Sequence, residues 1–361
     1  MRFEDVLEIK NGRNQRAVEN PKGKYPIYGS GGIMGYADDY ICDAQTVIVG
    51  RKGSINNPLF VEEPFWNVDT AFGLSANRDV LLPRFLYYFC KKFDFERLNK
   101  AVTIPSLTKS DLLKIEIDLP NLKQQQDVVD RLVKVERIIA LRKQELRSLD
   151  DLIKARFIEM FGDINVNDKG WDIQPLGELC TIVRGGSPRP IDKYLGGDVP
   201  WIKIGDATDG ESVYLHSTKE YIIQEGVSKS RMVKAGSLIF ANCGVSLGFA
   251  RIITFDGCIH DGWLAMEDID ERLDKIFLLQ ALNQMTEHFR KIAPAGTQPN
   301  LNTAIMKAYR QVIPPIKMQR EFIGVVAQID KSKATIQKSL EQTQLLFDSL
   351  MQEYFDEGGN L

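Results

Sequence analysis

The chain contains one long segment twice, and this repeat limits the folds that the chain can adopt. The two copies are related by a shift of 194 positions (319 − 125 = 194), so that Gln125 corresponds to Gln319 and Leu152 to Leu346. One shift that holds without gaps over about fifty residues indicates a duplicated structural unit. Each half of the chain should therefore build the same arrangement of elements.

Both copies place apolar residues at alternating spacings of three and four, which is typical of a coiled coil. In each copy eight of ten such positions are apolar. The pattern predicts two long helices near 123–160 and 317–356 that pack on each other and run antiparallel. The first seam consists of Val128, Leu132, Val135, Ile139, Arg142, Leu146, Leu149, Ile153, Arg156 and Met160, and the second of Phe322, Val326, Ile329, Lys333, Ile336, Leu340, Thr343, Phe347, Leu350 and Tyr354.

The length and the charges of these seams sharpen the prediction. A helix of about 38 residues spans roughly 57 Å, which is more than one small core requires. Packing of the two helices on each other is therefore favoured over two separate amphipathic helices. Arg142, Arg156 and Lys333 interrupt the seams. Since a buried unpaired charge costs several kcal/mol, we expect these side chains to reach solvent or to meet acidic groups.

The remaining sequence forms two globular units that are distant copies of each other. Ile9 and Gly12 in the first correspond to Ile182 and Gly185 in the second. Each unit combines short strands, glycine-rich turns and one helical stretch, which predicts an α+β fold with a small sheet. The predicted strands are 25–28, 46–49, 115–119, 201–204, 237–240 and 311–313, and the predicted helical stretches are 84–99 and 274–291.

Composition indicates a globular protein without a membrane segment. The 361 residues are 43% hydrophobic and 26% charged, and no run of 18 apolar residues occurs. The first residues lack the apolar stretch of a signal peptide. The five cysteines are scattered, without the short spacing of a zinc site. We therefore expect reduced, structural cysteines and a cytoplasmic protein.

The motifs of common catalytic sites are missing. The sequence has no phosphate-binding loop, no dinucleotide-binding glycine pattern and no nucleophile elbow. It also lacks the Asn/Asp-Pro-Pro-aromatic motif of adenine methyltransferases. His216, His260 and His288 are solitary, and each is expected to be a surface or core histidine. The sequence therefore predicts no catalytic residue, no metal site and no cofactor.

Loops rich in Gly, Arg, Lys, Asn and Ser follow the predicted strands in both units. Backbone N–H groups, Ser, Arg and Lys bind phosphate oxygens, and Arg, Asn and Gln read base edges. Single loops of this kind are usually plain surface turns. Matching loops in both copies make DNA binding as good an interpretation as plain turns. The candidate DNA-binding residues are Arg13, Asn14, Arg16, Ser30, Arg51, Lys52, Ser54, Arg184, Ser187, Arg189, Lys203, Asn242, Ser246, Thr297 and Gln298.

The overall charge restricts this interpretation. The formal net charge is −3, whereas a protein that binds DNA alone is usually basic. DNA binding must therefore rely on local basic patches or on partners that supply positive charge.

The repeat and the loops together resemble the specificity (S) subunit of type I restriction–modification systems. The layout of domain, long helix, domain and long helix covers essentially the whole chain and is quite specific to that family. The segments that carry the resemblance are 28–32, 49–55 and 64–70 in the first half, 184–188, 199–202 and 296–301 in the second, and the two Pro-x-x-Lys-x-Gln helix entries at 120–125 and 314–319.

This resemblance implies a domain organisation. Residues 1–120 would form target recognition domain 1 and residues 162–316 target recognition domain 2. Residues 121–161 and 317–361 would form two long antiparallel spacer helices. The two α+β domains and the coiled coil would be related by a pseudo-twofold axis.

The resemblance also implies function and partners. Each domain would read one half of a bipartite site in double-stranded DNA, and the helix pair would set the spacer. The chain itself would be non-catalytic and would assemble with two methyltransferase (M) subunits and, through the complex, with restriction (R) subunits, away from any membrane. S-adenosylmethionine, ATP and magnesium would belong to those partners. The partner-binding positions expected on the helices are Leu132, Ile139, Leu146, Ile153, Val326, Ile336, Leu340 and Phe347.

Two other classes of function stay open from the residues alone. A coiled-coil adaptor could bind proteins through its end domains without reading DNA directly. Such an adaptor predicts no salt-dependent DNA binding by the assembled complex, whereas DNA recognition predicts a steep dependence on salt. A fused nuclease or methyltransferase is the third class, and the missing methyltransferase motif counts against it.

Overall fold

The structure, a computed structural model, describes residues 1–99, 104–208, 213–244, 246–294 and 299–355. The chain divides into two units. Unit 1 is Met1–Glu145 together with the chain from Ile336 onward, and unit 2 is Leu146–Thr335. Both division points fall inside long helices rather than at their ends, so each unit contains part of each helix.

Unit 1 is built on two small sheets. One has the strand order β1-β7-β4-β5 and the other β3-β2-β6, in which β2 and β6 run parallel. The helices that pack on them are short. The elements are α1 (Phe3–Val6), β1 (Leu7–Asn11), β2 (Tyr25–Gly29), β3 (Gly32–Ala37), β4 (Thr46–Gly50), β5 (Leu59–Val61), β6 (Trp66–Asn67), β7 (Ala71–Ala76), α2 (Pro83–Lys92), a 3-10 turn (Phe95–Leu98), α3 (Lys109–Leu112) and α4 (Leu122–Phe161).

Unit 2 repeats this plan with additional strands. The elements are β8 (Asp172–Pro175), α5 (Leu176–Leu179), β9 (Thr181–Arg184), β10 (Leu195–Ile202), β11 (Tyr214–Leu215), β12 (Glu220–Ile222), α6 (Gln224–Val227), β13 (Arg231–Val233), β14 (Leu238–Ala241), β15 (Ala250–Ile253), β16 (Gly257–Ile259), β17 (Trp263–Glu267), α7 (Lys275–Gln284), α8 (Thr286–Ile292), α9 (Thr303–Ala308), β18 (Arg310–Ile313) and α10 (Ile316–Phe355). Two 3-10 turns, Ile191–Lys193 and Ile204–Asp206, flank β10.

The sheet orders show that the two units are copies. The order β9-β17-β14-β15-β11 in unit 2 matches β1-β7-β4-β5 in unit 1, with β11 as the added strand. The parallel pair β10–β16 likewise matches β2–β6. The register agrees as well, since Ile9 pairs with Leu74 and Ile182 pairs with Met266. The duplication predicted from the sequence is therefore present in the strand pairing.

Most of the predicted strands are confirmed, and one is wrong. Strands β2, β4, β10, β14 and β18 cover the predicted segments 25–28, 46–49, 201–204, 237–240 and 311–313, apart from residues 203–204 and 237 at two ends. Segment 115–119 forms only one bridge, between Glu116 and Arg2. Its neighbour is the first residues of the chain, which turn into α1 at Phe3 and so leave no strand to pair with.

The predicted helical stretches are interrupted. The stretch 84–99 forms α2 and then a 3-10 turn that Asp94 caps, since its side chain accepts a hydrogen bond from the Glu96 N–H. The stretch 274–291 forms α7 and α8, which are separated at Met285. None of the helices in the described ranges combines the length and the apolar character needed to cross a membrane.

Helices α4 and α10 confirm the predicted seams. Each is 40 residues long, and each boundary lies within one residue of the prediction. All twenty seam positions are buried or half-buried. In unit 2, Phe157 packs edge-on against Phe322 and Asp150 pairs with Lys333, so numbers rise along α4 as they fall along α10. The two helices are therefore antiparallel.

The charged residues of the seams meet the expectation in two cases and in part in the third. Lys333, whose side chain is 15% exposed, lies 2.6 Å from the Asp150 carboxylate. Arg156 is more exposed and pairs with Glu159 at 2.6 Å. Arg142 is half-buried, and its Nε is buried without a hydrogen-bond partner in the described part of the chain.

A buried glutamine ties the start of each long helix to its own domain. The Gln125 side chain accepts a hydrogen bond from the Leu82 N–H at 2.8 Å and donates to the carbonyls of Val80 and Pro120 at 2.8 and 2.9 Å. Gln319 makes the same three bonds in unit 2, to the Asp274 N–H and to the carbonyls of Arg272 and Pro314. Both glutamines are 0% exposed. This explains why the Pro-x-x-Lys-x-Gln sequence occurs at both helix entries.

We expect the Gln125→Ala variant to be strongly destabilised. The substitution leaves the Leu82 N–H and two carbonyls buried without their partner, and each such group costs about 1–3 kcal/mol. The measurement is denaturant unfolding followed by circular dichroism. Gln126→Ala is the control because Gln126 is exposed, and its side-chain partner among the described residues is Asp130, one turn away. Equal stability of the two variants would show that the anchor is not needed.

Candidate nucleic-acid interface

Two loops and one strand of unit 1 meet on the segment that follows β6. The N–H groups of Gly12 and Arg13, after β1, donate to the carbonyls of Ala71 and Asn67 at 3.2 and 2.9 Å. The Arg51 N–H, after β4, donates to the Thr70 carbonyl at 2.8 Å. The β2 strand joins the same segment because the Val68 N–H donates to the Tyr28 carbonyl at 3.0 Å. The loops predicted to bind DNA in unit 1 are thus brought together.

The same construction occurs in unit 2, on the segment that follows β16. The N–H groups of Gly185 and Gly186 donate to the carbonyls of Trp263 and Ile259 at 2.9 and 3.0 Å, and the Asn242 N–H donates to the Gly262 carbonyl at 2.9 Å. Two independent loops therefore close on equivalent segments in both units, and we call each arrangement a loop cluster.

A glycine is required where the first loop crosses that segment. A β-carbon on Gly12 would collide with the Val68 carbonyl oxygen, and one on Gly185 would collide with the His260 carbonyl oxygen. Glycine is the residue that permits such close backbone approach. The matching glycines noticed in the sequence thus hold the loop clusters together.

The candidate residues of unit 1 lie mostly on the surface. Arg13, Asn14 and Arg16 are exposed after β1, and the Asn14 side chain accepts a hydrogen bond from the Arg16 N–H at 2.9 Å. Ser30 is half-buried in the turn between β2 and β3. Residues Arg51, Lys52 and Ser54 are exposed after β4, and the Arg51 guanidinium lies 5.7 Å from the centre of the Phe72 ring.

The candidate residues of unit 2 are more constrained. Arg184 and Arg189 are exposed, and Ser187, Lys203 and Ser246 are half-buried. Lys203 pairs with Glu220 and lies 5.8 Å from the centre of the Trp201 ring. Thr297 and Gln298 lie outside the described residues.

One candidate, Asn242, is not placed where a base could reach it. The residue is 0% exposed, and neither polar atom of its side chain has a hydrogen-bond partner in the described part of the chain. Its backbone is held from both sides, because its N–H donates to Gly262 and its carbonyl accepts from Leu301 at 2.8 Å. The expectation of a surface amide is wrong, since the position corresponds to Arg51 but turns its side chain inward.

The centre of the unit 2 loop cluster is the carboxylate of Asp261. Its Oδ1 accepts a hydrogen bond from the Ser187 hydroxyl at 2.9 Å and lies 2.9 Å from His260 Nε2. Arg189 lies 3.5 Å from Oδ2, and Arg184 Nε donates to the Asp261 backbone carbonyl at 3.0 Å. Three of the predicted residues therefore surround one carboxylate.

One hydrogen bond fixes the tautomer of His260. Its Nδ1 accepts the Gly262 N–H at 2.9 Å, so the proton of the neutral ring is on Nε2, which lies 2.9 Å from Asp261 Oδ1. Burial lowers the pKa of His260 below its ordinary value and outweighs the attraction of the Asp261 carboxylate. The histidine is therefore neutral at pH 7.

The carboxyl group of Asp261 is ionised. Burial acts against ionisation, but the Ser187 hydrogen bond and the positive charges of Arg189 and Arg184 outweigh it and lower the pKa of Asp261. The loop cluster of unit 2 thus holds a fixed negative charge within a group of positive side chains.

Asp261 and His260 were not among the residues selected from the sequence. Asp261 follows β16 as Asp69 follows β6, and the strand correspondence of the two units would have identified it. His260 takes the position of Val68, where unit 1 has no polar group. The solitary histidine of the sequence gains its role from Ser187 and Asp261, 74 residues apart.

The residues expected to bind partner subunits lie mainly in the chain's own cores. Leu132, Ile139, Ile153, Val326 and Phe347 are at most 8% exposed. The half-buried positions are Leu146, Ile336 and Leu340. The buried positions hold the helices together and are not available as a docking surface. Exposed apolar residues lie elsewhere on the helices, among them Leu152 and Leu346 at 50% and 51% exposure.

The cysteines are free, and four of the five are buried. Burial raises the pKa of Cys42 and of Cys180 to about 12, which leaves both thiols protonated at neutral pH. In the described ranges no group of three or more His, Cys, Asp or Glu side chains is arranged to hold a metal ion.

The duplicated α+β units, their equivalent loop clusters and the paired long helices define a class of proteins with two tandem α+β domains and two long helices. Within that class, the chain belongs to the family described as the type I restriction modification DNA specificity domain. The model of that family matches residues 1–150 and 168–344, which is one match for each half of the chain.

Individual relatives agree with this family. The chain is 22% identical over 172 residues to the type I restriction enzyme MjaIX specificity subunit of Methanocaldococcus jannaschii, covering 46% of this chain and 40% of that protein. A relative from Mycoplasma pneumoniae is 27% identical, and the match covers 39% of this chain and 53% of that relative. The chain thus spans about half the length of these two relatives. The type I restriction enzyme EcoDI specificity subunit of Escherichia coli is 18% identical, with 96% of this chain and 84% of that protein covered.

A solved structure shares the fold along the whole chain. The S subunit of a type I restriction–modification system from M. genitalium superposes with a TM-score of 0.61 at 18% identity. The match covers 99% of this chain and 96% of that one. The arrangement of domains and long helices is therefore a known fold.

We expect unit 2 to lose stability as the pH falls below about 6.5, the ordinary histidine value. The folded-state pKa of His260 is depressed, so its stabilising contribution is present above the ordinary pKa and is lost as the pH falls through the folded pKa. Melting temperatures between pH 7.5 and 5.0 measure this. His260→Asn should flatten the decline, whereas His216→Asn, at an exposed position, should not. If His216→Asn flattened the decline of the melting temperature and His260→Asn did not, the decline could not be attributed to His260.

Proposed function

We propose that the chain is the non-catalytic recognition subunit of a type I restriction–modification complex and reads a bipartite DNA site. Unit 1 reads one half-site and unit 2 reads the other. The observation that carries this proposal is that both units build the same loop cluster on equivalent strands and equip it with different side chains. Membership of the DNA specificity family supports it.

The difference between the two clusters is clearest after β4 in unit 1 and after β14 in unit 2. Unit 1 presents Arg51 and Lys52 to solvent, whereas unit 2 has Asn242 and Cys243 at these positions. Gly53 and Gly244 complete both loops with left-handed φ angles of 80° and 78°. Equivalent loops with different side chains suit two readers of different sequences.

The positive groups at the clusters are suited to DNA, although the chain as a whole is acidic. The loops after β1 and β4 of unit 1 expose four positive side chains, Arg13, Arg16, Arg51 and Lys52. These side chains can pair with phosphates or with guanine edges. With a net charge of −3, the chain requires partners that also contact the DNA. Methyltransferase subunits are the partners that fit this requirement, with restriction subunits joining the complex.

The repeat supports two copies of the methyltransferase partner. Leu152 on α4 and Leu346 on α10 are equivalent by the shift of 194 (346 − 152 = 194), and both are half exposed. An exposed apolar side chain can contribute to a protein interface. Two equivalent exposed positions suit two copies of one partner.

The helix pair is suited to set the spacer between the half-sites. The boundaries between the units, after Glu145 and after Thr335, both lie within continuous helix. The number of helical residues at these two points would therefore determine the distance and the rotation between the readers.

A coiled-coil adaptor that binds only proteins is the alternative. It predicts that the assembled complex binds DNA weakly and without a steep dependence on salt, whereas recognition through phosphates predicts a log–log slope of several units. Titration of the complex with DNA at several salt concentrations separates the two functions.

We expect Arg51→Ala to affect one half-site only. If Arg51 reads a base edge, the binding free energy of the variant complex should weaken by about 1–3 kcal/mol. The variant should also relax specificity at one position of the unit 1 half-site. If Arg51 contacts a phosphate, all sequences should weaken evenly and the salt slope should fall by about one. The measurement is binding of the variant chain, assembled with its methyltransferase subunits, to a panel of half-site variants.

Arg78→Ala is the matched control for this experiment. Arg78 is also exposed in unit 1, but it follows β7 at the opposite end of the sheet from Arg51. The complex that contains the Arg78→Ala variant should bind every DNA with the affinity of the wild type. Base-specific losses in both half-sites after Arg51→Ala would show that the units do not read separately.

We expect paired insertions of seven residues to change the spacer and leave both half-sites unchanged. The insertions lie between Leu141 and Leu146 and between Thr335 and Leu340, at the unit boundaries. One heptad adds about 10.5 Å, or roughly three base pairs. The accompanying rotation of about 100° should reduce affinity, since B-DNA turns once in about 10.5 pairs.

Methylome sequencing of cells that carry the insertion variant measures the spacer directly. A single insertion, in one helix alone, is the control and should break the seam and prevent assembly. An unchanged spacer after the paired insertions would show that the helices only dock partner subunits.

A further inference from the structure

The two oxygens of the Asp261 carboxylate are used differently. Oδ1 accepts a hydrogen bond from the Ser187 hydroxyl at 2.9 Å and lies 2.9 Å from His260 Nε2. Within the described residues, the hydrogen-bonding contact of Oδ2 is Arg189 at 3.5 Å, which is the long limit of such a bond. The Arg189 side chain is 81% exposed and is free to turn away. Oδ2 is therefore an acceptor without a strong partner.

The backbone of Asp261 is held as firmly as its Oδ1 atom. Arg184 donates to its carbonyl at 3.0 Å, and its own N–H lies 3.4 Å from the Ser187 oxygen. The residue follows β16 at the point where the loops of unit 2 meet, and its side chain is 32% exposed. The direction of Oδ2 is thus fixed in the absence of a ligand. This reduces the side-chain conformational entropy that is lost on binding.

A carboxylate at a DNA interface has a restricted choice of partners. Phosphates repel it, and here the positive charges of Arg184 and Arg189 lie beside it. An ionised carboxylate accepts hydrogen bonds and donates none. In the major groove cytosine N4 and adenine N6 carry donors, whereas guanine O6 and N7 and thymine O4 are acceptors. Guanine and thymine would therefore be rejected by repulsion as well as by a missing bond.

We propose that Asp261 is a specificity-determining residue of unit 2, whose Oδ2 accepts a hydrogen bond from the exocyclic amine of a cytosine or adenine. Ser187 and His260 are its positioning residues. This inference rests on the proposed function, because it requires that unit 2 reads a half-site.

The corresponding residue of unit 1 provides a comparison. Asp69 follows β6 in the same way and is exposed. Its preceding residue is Val68, where unit 2 has His260, so the imidazole that holds Asp261 is absent from that position. The fixed carboxylate is a feature of unit 2, and base reading by Asp69 is not part of the proposal.

The test uses the complex of the chain with its methyltransferase subunits. The DNA is a set of short unmethylated duplexes that contain the site identified by methylome sequencing. Each cytosine of the unit 2 half-site is replaced in turn by 2-pyrimidinone, and each adenine by purine, which removes the amine alone. At one position, the wild-type complex should bind on the order of tenfold more weakly after amine removal. The Asp261→Asn complex should show no loss from amine removal at that position. The analogue that produces the loss distinguishes cytosine from adenine.

Two variants serve as controls. Asp256→Asn removes an exposed carboxylate that pairs with Lys234 at the other end of β16, and it should respond to amine removal as the wild type does. Ser187→Ala keeps the carboxylate but frees its orientation, so it should reduce the loss from amine removal several-fold without changing the preferred base. This second variant tests the proposal even if Asp261→Asn does not fold.

The outcomes separate this inference from the proposed function. If Asp261→Asn and Ser187→Ala keep the full wild-type response at every position, while Arg51→Ala still alters the unit 1 half-site, Asp261 does not read a base and the bipartite proposal stands. If no variant of either loop cluster changes any half-site preference, the proposed function itself fails.

Discussion

The arrangement depends on two buried glutamine side chains. Gln125 and Gln319 each satisfy one N–H and two carbonyls at the junction between a domain and its long helix. A buried amide whose polar atoms are bonded is directional, since any shift of the helix would leave several groups unsatisfied. Apolar packing alone would tolerate sliding along the seam. The glutamines therefore fix the register of each long helix against the domain that it follows.

The same scaffold supports two different surfaces. Gly12 and Gly185 allow the first loop of each unit to cross the segment after β6 or β16, and this crossing brings the loops together. The side chains on the loops are then free to differ. Arg51 points to solvent, whereas Asn242 is buried, and Val68 is replaced by His260. Backbone close contacts thus preserve the shape of the cluster while its chemistry changes.

The long-range pattern of the sequence predicted the fold well, and the local chemistry of the site less well. The seams were predictable because twenty regularly spaced positions share one environment, a buried or half-buried helix face. The helix bounds agree with the prediction within one residue. The strand at 115–119 was wrong because apolar alternation says nothing about whether a neighbouring strand exists. The inward direction of Asn242 and the role of Asp261 depend on residues that are far away in sequence, such as Ser187 and Leu301, and no local pattern marks those contacts.

The division of the chain also affects the order in which the units can form. Unit 2 is one continuous segment, Leu146–Thr335. Unit 1 is discontinuous, because Phe347 packs against Tyr88 and Phe355 packs against Phe85 to complete its core. During synthesis, unit 1 begins first but cannot be completed until α10 has been made. Unit 2 begins second, and all of its residues are made before the end of α10. An exchange of one continuous segment likewise transfers unit 2 whole. A new unit 1, in contrast, must match the aromatic side chains of a helix encoded 259 residues later (347 − 88 = 259).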